Sequence, residues 1–349
     1  MIPLDIPQFK AGNESRFANF ISSLDKKDKI ALISHGADLD GIASAKITNK
    51  IINADIIKFV GYEELNDKLI AELKKEKVTK IIMTDLGTDN PNFIKDLQKL
   101  APILIIDHHI FQEDFNSEKV IFINAQGYCA AYLCYYLFSK IQDLEVLDWL
   151  VACASISDWM YFKNQNWMNQ VFQKYGDTFR GTPEGIKQSK KFWDIQWKLS
   201  LSIIYFRKDI TKVLESIGEK FGDIGDLEKH SAEVQKDIDE SAKKFDEEKT
   251  EITDGYFWEL KEKRFPIKSI VSNIISSKDT HKTFIILVNR ETNYEISARR
   301  QDKTVDLPNL LRSLISGFEN SSAAGHIPAA GGNFPVTYYQ EFKKRLKNL

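Results

Sequence analysis

The 349-residue chain has little cysteine: Cys129, Cys134 and Cys153 are all there is. The number is odd, each lies in an apolar run, and none has zinc-site spacing. A disulfide framework and a structural zinc site are therefore argued against, and core thiols in a reducing compartment are expected. The sequence also lacks any apolar run near the ~20 residues that cross a bilayer. Its opening, MIPLDIPQFKAGNESR, has neither the basic flank nor the apolar core of a signal peptide. A cytoplasmic location without a membrane partner is the resulting expectation. Charge of one sign is missing too. Lys and Arg number 48 against 50 Asp and Glu, a formal net charge of −2. That argues against a large duplex-DNA surface, which needs many excess cations, and leaves room for a small or single-stranded anion held locally.

What is present begins at Ile30. Strand-like runs at Ile30–Ile33, Asp55–Val60, Lys80–Thr84, Ile103–Ile106 and Val120–Ile123 alternate with helix-like runs at Ile42–Ile52, Glu63–Lys75 and Asn92–Leu100. This alternation predicts an α/β fold with a doubly wound, mainly parallel sheet. A leader helix around Glu14–Leu24 precedes it, and apolar helices at Tyr128–Ile141 and Leu144–Ile156 pack on it. Residues 160–225 carry helical pieces without a chemical motif. Five of the six Trp fall between Trp149 and Trp197, a spacing that reads as packing.

Leu227, Val234, Ile238, Phe245 and Ile252 recur at sevens and fours, which predicts one long amphipathic helix over 226–252. It would connect a domain at 1–225 to a smaller α/β domain at 253–349. In the latter, Phe284–Arg290 and Tyr294–Arg299 flank a turn at Glu291–Asn293, Leu307–Phe318 reads as a helix, and Phe334–Tyr339 as a last strand. The segment AAGHIPAAGG at 323–332 reads as a Gly/Ala-rich loop, and the tail KKRLKN as a solvated basic helix end.

The candidate site residues stand at the ends of apolar runs. His35, Asp38 and Asp40 follow the first strand in SHGADLDGIAS, residues 34–44. Asp85 follows the third, Asp107-His108-His109 the fourth, and Asp158 the apolar helix ending at Ile156. Open α/β sheets bind ligands at the carboxyl ends of their strands. Carboxylates this close repel one another unless a cation lies between them. A mixed imidazole and carboxylate set suits Mn²⁺, and less selectively Mg²⁺, Zn²⁺ or Co²⁺. For the first stretch alone a plainer reading stays open: Asp38 caps the helix and Asp40–Gly41 make a turn. Of the six histidines, His35, His108, His109 and His326 fall in these motifs or in the Gly/Ala-rich segment, whereas His230 and His281 lie in polar surroundings.

Six motifs occur in order: HGADLDG at 35–41, TDLG at 84–87, DHH at 107–109, SISD at 155–158, SAR at 297–299 and GHIPAAG at 325–331. The set resembles the DHH phosphoesterase superfamily over roughly 30–160 and its C-terminal DHH-associated domain over roughly 255–340. The layout is similar to nano-RNases and RecJ-type single-strand exonucleases. By that resemblance, His35 and Asp38 would hold one divalent ion, Asp40, His108 and Asp158 a second, and Asp85 both. His109 would face the scissile phosphate. Asp107 would orient the imidazoles, its plainer alternative being a carboxylate that caps the following turn. Asp85, Asp107, His108 and His109 thus form the implied catalytic set. Arg299, Gly325, His326 and Gly331, with Arg300 beside them, would grip a phosphate or terminal nucleotide; the plainer reading is a flexible turn with surface salt bridges. Three departures stand out: Ala323 and Ala324 precede Gly325 where glycines are common, Arg300 stands where Ser is common, and the ~65–90 residues after Asp158 exceed those of the smallest nano-RNases, which leaves open a clamp on single-stranded nucleic acid with aromatics stacking on bases or a scaffold or partner-binding insert.

The implied function is hydrolysis of short oligonucleotides or single-stranded nucleic acid from an end by water activated between two metal ions, Mn²⁺ preferred. The alternatives are a small-nucleotide phosphatase or a hydrolase of cyclic dinucleotides or 3′-phosphoadenosine phosphate and, lower, a non-catalytic subunit of a replication or repair complex. A homo-oligomer or a protein partner is left open.

Overall fold

The structure, a computed structural model, describes residues 2–87 and 90–347. The chain divides into two compact units, Met1–Ser231 and Ala232–Leu349. In the first, α1 (Glu14–Ser22) precedes β1 (Ile30–His35), α2 (Leu39–Ile52), β2 (Ile56–Val60), α3 (Asp67–Lys75), β3 (Lys80–Thr84), α4 (Pro91–Leu100), β4 (Ile103–Asp107) and β5 (Val120–Asn124). The five strands form one parallel sheet in the order β2-β1-β3-β4-β5. Its three central strands are apolar almost throughout because both faces are covered. Leu32, Ile82 and Leu104 face one core, shared with α2, α5 (Ala130–Phe138) and α6 (Asp148–Ser157). Ile33, Met83 and Ile105 face the other, shared with α3 and α4.

The predicted alternation of strands and helices is the one observed, with boundary differences that have local causes. α2 starts three residues earlier than Ile42, because Asp38 caps it. Asp40 and Gly41 are therefore helical and do not form a turn. The predicted Glu63–Lys75 helix is broken: a 3₁₀ turn at Tyr62–Glu64 ends before Asn66, whose side chain accepts from the Lys68 amide and starts α3.

After α6 come α7 (Gln165–Lys174), α8 (Pro183–Lys187), α9 (Lys190–Tyr205) and α10 (Thr211–Ser216). Trp149 and Trp167 are fully buried there. α11 (Leu227–Glu248) buries Leu227, Val234, Ile238 and Phe245, as its periodicity predicts, but the expected 226–252 helix stops at Glu248 and Ile252 lies in a strand at Thr250–Ile252. Among the described residues no helix is long and apolar enough to cross a membrane.

The second unit holds β6 (Thr250–Ile252), β7 (Gly255–Glu259), α12 (Lys268–Ser276), β8 (Thr283–Asn289), β9 (Asn293–Arg299), α13 (Leu307–Leu314), β10 (Ser322–His326), β11 (Ala329–Pro335) and α14 (Tyr339–Lys347). Its sheet runs β10-β11-β9-β8-β7-β6, parallel only at β7–β8. One face buries Ile285, Ile296, Ala298, Ala330 and Phe334 against Leu311 and Leu314 of α13. The Gly/Ala-rich segment differs from its sequence reading: it is a hairpin, β10 paired antiparallel with β11. β9 pairs with β11 along seven residues, and that pairing overrides the poor strand propensity of Gly and Ala. The expected last strand at Phe334–Tyr339 contributes only Phe334 and Pro335 to β11; a 3₁₀ turn at Val336–Tyr338 follows. Of the basic tail, Lys343–Lys347 lies in α14 and Asn348 lies outside the described residues.

Candidate metal centre

The order β2-β1-β3 reverses direction between β1 and β3, and such a switch point leaves a crevice at the carboxyl ends of the strands. His35 ends β1, Asp85 directly follows β3, and Asp107-His108 ends β4. The first turn of α2 comes very close to β1. A Cβ on Gly41 would lie 2.1 Å from the His35 carbonyl oxygen, so only glycine fits there. The Ser34 hydroxyl ties the two together by donating to the Gly41 carbonyl at 2.6 Å.

This packing aims the side chains at one another. Asp38 does two things: one oxygen accepts from the Gly41 amide at 3.2 Å as a helix cap, and the other lies 3.1 Å from His35 Nδ1. Asp85 sits between two imidazoles, Oδ2 at 3.8 Å from His35 Nδ1 and Oδ1 at 3.3 Å from His108 Nε2. Its backbone is left-handed, with φ +57°, a conformation that Asp tolerates better than most residues. His108 Nε2 also lies 3.7 Å from Asp40 and 3.6 Å from Asp158. Asp40 accepts two bonds of 2.7 Å from the Ala130 and Ala131 amides at the start of α5, where the helix end favours negative charge.

The electrostatics follow from the crowding. Burial disfavours charge on His35, but Asp38 and Asp85 outweigh it and raise its pKa to about 10. Burial likewise opposes charge on His108, and Asp85 and Asp40 raise it to about 10. Burial lifts Asp158 to about 6 against the pull of His108. Burial, then Asp85 and Asp158, push Asp40 well above the usual carboxylate range.

Beside this group, Asp107 is fully buried. One oxygen lies 2.8 Å from His109 Nδ1, and the other accepts from the His109 amide at 3.1 Å. It therefore both orients the imidazole and caps the turn. Burial opposes charge on His109, and Asp107 raises its pKa. The opposite ring nitrogen lies 3.2 Å from the hydroxyl of Tyr62, a residue missed in the sequence. Tyr62 is 47% exposed and its ring lies 5.0 Å from that of His35. A lone aromatic in a loop carries no periodic signal; only its position past the carboxyl end of β2 could have marked it.

Three groupings offer ligand atoms within 4.8 Å of one another: His35, Asp38 and Asp85; Asp40, His108 and Asp158; and Asp85, His108 and His109. Asp85 and His108 are each shared by two of them. Asp158 Oδ2 is buried without a hydrogen-bond partner among the described residues. Crowded carboxylates, imidazole nitrogens and an orphaned buried oxygen are a donor set that fits divalent cations.

The remaining predicted site residues belong to the second unit. Arg299 Nε donates to Asn273 Oδ1 at 2.6 Å, and no ion pair engages it among the described residues. Gly331 is exposed, and a Cβ there would meet only the Ile296 carbonyl, at 3.6 Å. Next to it in the sheet, Ser297 is buried and its hydroxyl has no hydrogen-bond partner among the described residues. Gly325 has φ +138°, and a Cβ would lie 2.5 Å from the Ala329 carbonyl oxygen. His326 is exposed at the end of β10. Arg300 is 7% exposed and held by Asp254 at 2.7 Å and Asp302 at 2.8 Å, so carboxylates already match its charge, as the plainer reading expects.

Residues 29–156 match the DHH family, N-terminal domain. No curated protein matches the sequence. Among solved structures, the chain is similar to an exonuclease RecJ bound to manganese, at 16% identity and a TM-score of 0.68 over 99% of this chain and 96% of that one. It is similar to RecJ of Thermus thermophilus in complex with Mn²⁺, at 15% identity and 0.68, over 99% of this chain but 55% of that one. The pGpG-specific phosphodiesterase PggH from Vibrio cholerae matches at 14% identity and 0.50, over 92% and 98%. At these identities the likeness is one of fold.

Proposed function

We propose, from the premise that this chain belongs to the DHH superfamily of phosphoesterases, that it hydrolyses phosphodiesters from an end of short oligonucleotides or single-stranded nucleic acid. The observation that carries the reading is Asp85, whose two oxygens face two different imidazoles. His35, Asp38 and Asp85 would hold one divalent cation, and Asp40, His108 and Asp158, with Asp85 shared, a second. Bound there, such cations supply positive charge to the phosphate and to the attacking and leaving oxygens.

The chain's own groups do the rest. Asp107 fixes the His109 ring through Nδ1, so Nε2 is the atom that would hold or pass a proton at the scissile phosphate. Asp40 is held by two α5 amides and keeps His108 facing the cluster. Residues 1–225 would be the catalytic domain, 226–252 a connector and 253–349 a substrate-binding domain. There Arg299 would give a forked contact to a phosphate, with the open backbone at Gly331 allowing close approach.

A second reading is hydrolysis of small nucleotides. It draws on the fold likeness to the pGpG-specific phosphodiesterase. A purely non-catalytic role is disfavoured because every ligand position is filled. One panel tests all three: end-labelled RNAs and DNAs from dinucleotides upward, plus cyclic dinucleotides and 3′-phosphoadenosine phosphate, incubated with Mn²⁺, Mg²⁺ or EDTA. A Mn²⁺-dependent ladder supports the first reading, and turnover of the small nucleotides alone the second. No hydrolysis under any condition sinks both.

A further inference from the structure

The tryptophans do not all pack. Trp149 and Trp167 are fully buried, but Trp159 is 36% exposed, and Trp193 and Trp197 are half-buried. Trp159 directly follows Asp158 and is held in a left-handed conformation, φ +57°, which is uncommon for a bulky residue. Its ring lies 6.1 Å from that of Trp193, and Trp193 lies 6.1 Å from Trp197, nearly parallel at 17°. Trp193 and Trp197 are one helical turn apart on α9, so they share a face of that helix.

The surrounding charge is the second, independent observation. In a chain of net charge −2, residues 159–191 carry six Lys or Arg against two Asp or Glu. Lys187 stands 5.8 Å over the Trp159 ring. Arg180 bonds to Gln188, and Lys163 and Lys191 donate to backbone carbonyls. None of these cations is neutralised by a carboxylate among the described residues. Lys174, in ion pairs with Glu145 and Asp148, is the exception in the segment.

Indole faces in a row, with Lys187 over one of them and a segment of sequence rich in cations carrying them, fit a strand whose bases are unpaired and whose phosphates are charged. Stacking is indifferent to base identity because every base has a π-face. We infer that Trp159, Trp193 and Trp197 form a base-stacking strip that takes the part of a single-stranded nucleic acid leading away from Asp158. This rests on the reading above and deepens it: the strip would make the protein prefer strands longer than a dinucleotide. It also assigns a role to the 160–225 segment, in which the sequence shows no motif.

The test uses the full-length protein and fluorescein-labelled oligo(dT) of two, four and eight nucleotides. Binding is read by polarisation in EDTA, and hydrolysis of the same strands with Mn²⁺. The wild type is expected to bind the octamer at least about tenfold tighter than the dimer. Trp193→Ala should weaken octamer binding about tenfold and lower the octamer-to-dimer ratio of kcat/KM to match. Trp193→Phe should restore most of both. Lys187→Glu, a surface change that leaves packing alone, should weaken octamer binding and flatten its salt dependence. A folded Trp193→Ala protein with wild-type octamer affinity overturns the strip, as does a wild type indifferent to length. Binding by the strip without hydrolysis of any strand would overturn the proposed activity and leave the strip standing. Hydrolysis with no effect of Trp193→Ala or Lys187→Glu would do the reverse.

Discussion

At the carboxyl edge of the first sheet, Asp38, Asp40, Asp85 and Asp158 crowd around His35 and His108, with five distances of 3.1–3.8 Å between acid and imidazole. On the β9–β11 face of the second unit the opposite has happened. Gly331 and Ala324 leave the backbone bare beside Ser297; among the described residues the buried Ser297 hydroxyl has no hydrogen-bond partner and Arg299 no carboxylate. The first region carries more charge than it can settle internally. The second leaves out the side chains that would fill it. One is recognisable by residues that are present, the other by those that are missing, and under the proposed function each would take a different ligand: a cation in the first, an anion in the second.

Breaking the first region should have the largest effect. Asp85→Asn is expected to keep the fold and lower turnover by at least about 10³-fold, since one side chain serves both ligand groupings. Parallel Mn²⁺ titrations and steady-state kinetics would check it, and undiminished turnover would refute the shared-ligand assignment. In the second region, Arg299→Ala should raise KM for an oligonucleotide by roughly 10–100-fold with a smaller change in kcat. Arg300→Ala should instead lower Tm by several degrees through the loss of its pairs with Asp254 and Asp302. The contrast fails if the two variants behave alike.

Proton uptake and release sharpen the comparison further. Unfolded histidine titrates near 6.5, whereas His35 and His108 sit at about 10 in the metal-free fold. Their contribution to stability is whole below about pH 6.5 and is lost as pH rises to about 10. The melting temperature of metal-free protein should therefore fall across that window. Imidazole must be neutral to ligate, so Mn²⁺ binding at pH 7 should release the protons of both imidazoles, together with any that Asp40 holds. Calorimetry in buffers of different ionisation heat measures this; a heat independent of buffer would contradict the proposed ligands. The smallest effect is expected from Tyr62→Phe, roughly two- to fivefold in kcat/KM, through loss of the hydroxyl near His109.

The first region was legible in the sequence because apolar runs mark strand ends, and polar residues just past them must share the sheet edge. His35, Asp85 and His108 are placed by that rule alone. Two readings offered as rivals for Asp38, cap and ligand, turned out compatible, since a carboxylate has two oxygens. The second region was harder to see. Gly and Ala in AAGHIPAAGG give no period-2 signal, so a hairpin held by its pairing with β9 read as a loop. Arg300 looked like Arg299 because sequence does not reveal that Asp254, 46 residues earlier, comes within 2.7 Å of it. Tyr62 escaped notice, and Trp159 was read with the other tryptophans as packing, for a related reason: an aromatic used for packing and one left open to solvent are spelled alike.

The positive φ of Asp85 narrows which amino acids that position accepts. Glutamate keeps the acid but adds a methylene and fits a left-handed backbone less readily; glycine relieves the backbone and removes the acid. Asparagine alone is matched in shape and torsion, and it gives up only the charge. A saturation library at this codon, sorted separately for folding and for turnover, should therefore return Asp, Asn and Gly from the first sort and Asp from the second.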